Sequence, residues 1–173
     1  WHPTILTVPF SSSTAVDLRA VNELPDAVDV LRAYCPVDRA VPRGSGGPRR
    51  GFKGALNRVA RGVTRFSSLP DRQVLWYPRA MKAGREALRA HAHDAVLATY
   101  RPATNFLVGA RLARAFRLPL VLDYRDLWSD NPLIPWASPL HHWICRYLER
   151  KWVRQAAKMI GVSPGMQHFL AER

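Results

Sequence analysis

Acidic residues are scarce in this chain. Thirteen Asp and Glu stand against 26 Lys and Arg, a formal net charge of +13 over 173 residues. That imbalance calls for an anionic partner: nucleic acid, an anionic membrane surface or a phosphorylated substrate. Cysteine is scarcer still. Cys35 and Cys145 are far apart, with no CxxC and no Cys/His cluster, so neither a zinc site nor a disulfide framework is indicated and a reducing compartment fits. No apolar run approaches the length that crosses a bilayer. The GxGxxG and GxxxxGK[ST] spacings are missing. The glycine-rich stretch Gly44-Ser45-Gly46-Gly47-Pro48 has no strand before it and reads as a flexible connection, not a phosphate loop. The pairs His91/His93 and His141/His142 lack metal-ligand spacing and read as helix-end or surface histidines. Ser163, ahead of Pro164-Gly165, reads as a turn residue and not as a nucleophile elbow.

What is present is enough apolar residue, 47%, for a packed core, arranged as alternating strands and helices. Thr4 to Val8 reads as a strand, and Asp26 to Tyr34, with Val28, Val30 and Leu31, as a second. Leu69 to Pro78 reads as a loop, with Pro78 opening a helix to His91. Between Asp94 and Asp123 the pattern is strand, helix, strand in about 30 residues, a βαβ unit, its helix running from about Thr104, a candidate cap, to Arg117. A long helix opens at Ser138 or Pro139 and runs to about Lys158, with Ile144, Leu148 and Trp152 on its apolar face. Met159 to Ser163 reads as a further strand, and Met166 to Ala171 as a short helix.

Two stretches stand out. In Pro119-Leu120-Val121-Leu122-Asp123-Tyr124-Arg125-Asp126-Leu127-Trp128, a buried strand gives way abruptly to charge. In open α/β folds that end of a parallel strand faces the ligand crevice. The other stretch is Gly51 to Phe66. Phe52, Leu56, Val59, Val63 and Phe66 share one helical face, while Lys53, Arg58, Arg61 and Arg65 lie opposite. Such a helix suits an anionic membrane surface, and it equally suits packing against the domain.

The C-terminal half carries a resemblance. In order, Val96-Leu97-Ala98-Thr99-Tyr100, Pro102-Ala103-Thr104, a helix with Gly109, Val121 to Trp128, the long helix with Glu149, and Ala156 to Met166 resemble the acceptor-side domain of family-4-type, GT-B-fold glycosyltransferases. Asp94 to Glu172 is well covered, and Trp1 to Tyr34 resembles the second and third strands of such a domain. The resemblance implies an α/β, Rossmann-like three-layer αβα fold with a mostly parallel sheet, one half of a GT-B fold. Residues 1–173 would be the N-terminal acceptor-binding domain, with 42–68 a basic loop and amphipathic helix. It implies a first strand, Gly-rich loop and helix before Trp1, and a donor domain after Arg173, so that this chain alone would not turn over.

The implied activity moves a sugar from a nucleotide-sugar donor, held mainly by the second domain, to an acceptor hydroxyl, a lipid-linked one included. The implied setting is cytoplasmic, peripheral at the inner face of the plasma membrane, in cell-surface polysaccharide or glycoconjugate synthesis. No metal and no other cofactor is called for, because side chains and helix ends can offset the leaving phosphate's charge. Asp123 and Asp126 are the candidate catalytic acids. Asp123 suits a base or hydrogen-bond acceptor at the hydroxyl, but a turn cap at Asp123 and an Arg125–Asp126 ion pair fit the same residues. Arg125, Thr99, Tyr100, Arg101 and Thr104 are the candidate substrate-binding residues, the last group at a helix start that favours an anion. Phe52, Lys53, Leu56, Arg58, Val59, Arg61, Val63, Arg65 and Phe66 are the candidate membrane contacts. The alternatives are a nucleic-acid-binding module and a non-catalytic membrane-association domain.

Overall fold

The computed structural model describes residues 2–9, 23–36, 69–134, 136 and 138–172. Two parallel sheets form the frame. β1 (Thr4–Thr7) pairs with β2 (Asp29–Arg32), Thr4 lying opposite Asp29. β3 (Val96–Tyr100), β4 (Leu120–Tyr124) and β5 (Lys158–Gly161) form the second sheet, with β4 in the middle. Four α-helices, α1 (Tyr77–Ala90), α2 (Thr104–Phe116), α3 (Pro139–Val153) and α4 (Pro164–Ala171), and one 3-10 turn complete the described elements. Proline sits in the first turn of α1, α3 and α4, where its missing N–H costs no helical hydrogen bond. The mixed α/β class and the βαβ unit between Asp94 and Asp123 are both present.

β4 owes its central place to composition. Leu120, Leu122 and Tyr124 are buried on one face, each apolar side chain worth roughly 1.5–3 kcal/mol when removed from water. They pack with Ala98 and Tyr100 of β3, Phe106 and Ala110 of α2, Cys145 and Trp152 of α3, and Leu170 of α4. Connections β3–α2–β4 and β4–α3–β5 advance across the sheet in one direction, and right-handed crossovers then stack their helices on one face. The other face presents Leu97 and Ile160 to solvent, 62% and 46% exposed.

Close approach of α2 to β3 requires Gly109, since a Cβ there would lie 2.7 Å from the Cβ of Ala98. α2 ends on Arg117 in the left-handed conformation (φ 56°), where the Leu118 N–H reaches back to the Ala113 carbonyl at 2.9 Å.

A second cluster joins the two sheets from beneath. Leu6 and Val8 meet Met81 of α1 and Val108 and Leu112 of α2, together with Cys35 and Trp76. Trp76 Nε1 donates to the Ala33 carbonyl just beyond β2 at 2.8 Å. A ring nitrogen of His93, ahead of β3, lies 3.2 Å from Thr4 Oγ1 at the start of β1. The sheet expected as one layer is thus divided in two, held side by side by α1 and α2, with no β1–β3 pairing among the described residues.

Several expected boundaries move for tertiary reasons. The stretch read as a loop before α1 holds a 3-10 turn, Arg72–Trp76. α3 stops at Val153 rather than near Lys158, because the Ala157 N–H is taken by the Leu120 carbonyl at 2.8 Å and Lys158 already belongs to β5. The inward stripe of α3 is His141, Cys145, Glu149 and Trp152, with Ile144 and Leu148 only half-buried. The amphipathic segment from Gly51 to Phe66 lies outside the described residues.

Candidate active site

Asp123 is the next-to-last residue of the central strand. Its backbone register places Thr99 on one side and Ile160 on the other. This row points to the face away from the helices. Thr99 Oγ1 donates to Asp123 Oδ2 at 2.9 Å, and an Arg125 guanidinium nitrogen lies 3.9 Å from the same oxygen. The Asp123 side chain is only 15% exposed, against 68% for Arg125. A carboxylate half-withdrawn from water, oriented by one hydroxyl and flanked by one cation, still has lone pairs for a substrate hydroxyl. The Asn105 side-chain amide donates to the Thr99 carbonyl at 3.0 Å, fixing the end of β3 to the first turn of α2.

Beyond the strand ends, the pairing differs from the expected Arg125–Asp126 contact. Arg125 turns back to Asp123, and Asp126 meets Arg101 at 3.5 Å with both side chains more than half exposed. Such a pair adds little stability. Its effect is to hold Arg101 at the rim of a cavity of about 340 Å³ formed by Asp71, Arg72, Tyr100, Trp128 and Trp136. The Arg101 guanidinium stands 5.7 Å over the Tyr100 ring. Burial pushes the Tyr100 phenol up to about 12, so it stays a neutral hydroxyl.

Thr104 lies behind this cavity, fully buried. Ala103, not Thr104, occupies the cap position of α2, and it offers no side-chain bond. The helix start is met instead by a carboxylate from the 3-10 turn. Asp71 accepts from Thr104 N at 3.0 Å and from Thr104 Oγ1 at 2.6 Å. Burial raises the Asp71 carboxyl above its ordinary value, and these bonds only partly offset the rise.

Glu149 organises the loop after β4. It is 1% exposed, accepts from Ser129 Oγ, and is also bonded by the Tyr124 side chain. Burial raises its carboxyl as well. His142 meets the Ser129 carbonyl at 2.8 Å and stacks on Trp136, while His141 meets the edge of Trp136. The adjacent histidines therefore hold the cavity wall rather than a free surface. Trp128 stacks on Trp152 with ring centroids 5.3 Å apart.

The candidates fall into two groups. Thr99, Asp123 and Arg125 gather on the open sheet face. Tyr100 and Arg101, with Asp126 through its ion pair, gather at the cavity. Thr104 belongs to the support beneath. Asp71 and Trp136 carry no local pattern that marks them as site residues, and Glu149 enters only as part of the family resemblance; each matters through a contact distant in sequence. The membrane candidates Phe52, Lys53, Leu56, Arg58, Val59, Arg61, Val63, Arg65 and Phe66 lie outside the described residues.

Gly161-Val162-Ser163-Pro164-Gly165 does match the Gly-x-Ser-x-Gly spacing on a strand-to-helix turn. Ser163, however, has ordinary extended backbone (φ −144°, ψ 155°), and its hydroxyl accepts from Met166 N. A nucleophile elbow is strained and leaves its hydroxyl free; Ser163 is a helix cap.

A family model described as "Glycosyl transferase 4-like domain" matches residues 17–173. The chain belongs to this glycosyl transferase 4-like family. The parallel β3–β4–β5 sheet with its helices is accordingly a Rossmann-like half of a GT-B fold, and the Asp123–Trp128 stretch lies at the carboxyl end of its central strand. No curated protein matches the chain.

Proposed function

We propose that this glycosyl transferase 4-like chain supplies the acceptor side of a sugar transfer from a nucleotide-sugar donor to a hydroxyl, with Asp123 receiving the hydroxyl's hydrogen bond or proton. The observation that carries this reading is the Thr99–Asp123–Arg125 group at the end of the central strand, where a half-buried carboxylate is oriented by a hydroxyl at 2.9 Å. As the acceptor oxygen attacks the anomeric carbon, its bond to hydrogen weakens, and a fixed carboxylate stabilises that change more than it stabilises the resting alcohol. Arg125 and Arg101 supply positive charge on either side of the strand tip, suited to a phosphate on donor or acceptor. A lipid-linked acceptor at the inner face of the plasma membrane, in cell-surface polysaccharide synthesis, is the setting that agrees with the basic balance of the chain.

The test is transfer and donor hydrolysis by a protein containing this chain, across a panel of nucleotide-sugars, with Asp123→Asn as the comparison. Loss of transfer by about 100-fold or more with an unchanged fold supports the role. Undiminished transfer by Asp123→Asn removes Asp123 from the chemistry.

A further inference from the structure

Independently of the sugar chemistry, we infer that the outward face of α3 is a docking surface for an anionic lipid bilayer. An α/β domain normally turns the polar side of a helix to solvent. On α3 the outward stripe is instead Leu140, Trp143 and Tyr147, at helical spacing and 54%, 63% and 56% exposed. Trp143 and Tyr147 stack on one another, centroids 6.2 Å apart. The same stripe continues into exposed Arg150, Lys151 and Arg154. The only acidic residue of the helix, Glu149, is turned inward and buried.

This is an apolar and aromatic end followed by a cationic end on one line, about 21 Å long from Leu140 to Arg154. Trp and Tyr rings settle at the depth of lipid headgroups, where an apolar body and a polar tip are both satisfied. Arginine and lysine beside them meet lipid phosphates. No described helix is long and apolar enough to cross a membrane, so the geometry is that of a helix lying in the interface plane, not spanning it. The charge argument selects the bilayer over a protein partner: three cations and no exposed acid on one helix face match a continuous anionic surface without residue-by-residue complementarity.

Co-sedimentation with vesicles of phosphatidylcholine, with and without phosphatidylglycerol, tests the assignment. The native chain should pellet with the phosphatidylglycerol vesicles and release as salt rises. Trp143→Ser/Tyr147→Ser and Arg150→Glu/Lys151→Glu should each lower the partition by about tenfold or more, with unchanged circular dichroism because all four side chains are exposed. Should either variant misfold, quenching of tryptophan fluorescence by brominated phosphatidylglycerol, compared with Trp143→Phe, decides the matter. Quenching that drops in Trp143→Phe supports docking through α3. The proposal fails if the native chain does not pellet, if both double variants pellet as well as the native chain, if quenching is the same without Trp143, or if the variants abolish a self-association on sizing columns and not a lipid interaction.

Discussion

Asp71 and Thr104, 33 positions apart, share two hydrogen bonds: the Thr104 hydroxyl donates to one carboxylate oxygen at 2.6 Å and the Thr104 N–H to the other at 3.0 Å. The 3-10 turn before α1 is thereby fastened to the start of α2, beneath the cavity at the strand ends. Asp71 also accepts from Gln73 N at 3.0 Å, capping its own turn. One side chain thus serves two helical starts.

Asp71→Ala should lower stability by about 1–3 kcal/mol, since it leaves the buried Thr104 donors unmet. Thr104→Val should cost about 1 kcal/mol. In chemical denaturation, the double variant should cost clearly less than the sum, because each single change removes the same contact. Strict additivity would mean that the pair does not couple.

Glu149 gives the fold a pH dependence. Burial raises its carboxyl above the ordinary 4.5, so over the window between the ordinary and raised values the folded chain holds a proton that the unfolded chain has released. Stability therefore falls as pH rises through that window and is recovered on acidification. Asp71, raised for the same reason, acts in the same direction. Melting temperature followed against pH should show this decline, and Glu149→Gln should flatten it in part. An unchanged slope in that variant would assign the dependence elsewhere.

Two helical glycines should respond differently to alanine. At Gly109 the new methyl meets the Ala98 Cβ at 2.7 Å, an atom fixed to the strand. At Gly84 it meets the Leu112 side-chain tip at 2.6 Å, which can rotate. Alanine favours the helix by roughly 1 kcal/mol at either site. Gly109→Ala should still destabilise, by about 1–3 kcal/mol, whereas Gly84→Ala should fall nearer zero in urea unfolding.

Thr99→Val tests the orientation of Asp123 without touching its charge. If the hydroxyl holds the carboxylate for the acceptor, transfer should drop about tenfold, the kinetic value of one hydrogen bond to a charged group. Asp126→Asn loses only an exposed ion pair and should stay within about threefold. The opposite ranking, measured as initial rates at saturating donor, would shift the acid's role from Asp123 to Asp126.

The strand carrying Asp123 was legible because buried strands announce themselves by apolar runs and flanking proline, and its helix and partner strand followed at the expected spacing. The grouping of site residues was not. Thr99 and Tyr100 are neighbours in sequence, yet the pleat sends Thr99 to Asp123 on the open face and Tyr100 to the cavity, and only the register of β3 against β4 reveals which acid each one meets. The end of α3 was misplaced for a related reason: Ala157 has good helix propensity, but the Leu120 carbonyl claims its N–H. Asp71 and Glu149 were invisible as site supports because their value lies wholly in partners that the chain brings back from far away.

The two cysteines lie in different packed clusters, Cys145 under β3–β5 and Cys35 under β1–β2, 0% and 1% exposed. Burial pushes the Cys145 thiol up to about 12, so hardly any reactive thiolate exists while that cluster stays closed. A thiol-reactive dye is then a pair of clocks, one for each half of the domain. Equal labelling times would show the halves opening as a single unit, and a faster Cys35 would show the β1–β2 half breathing on its own.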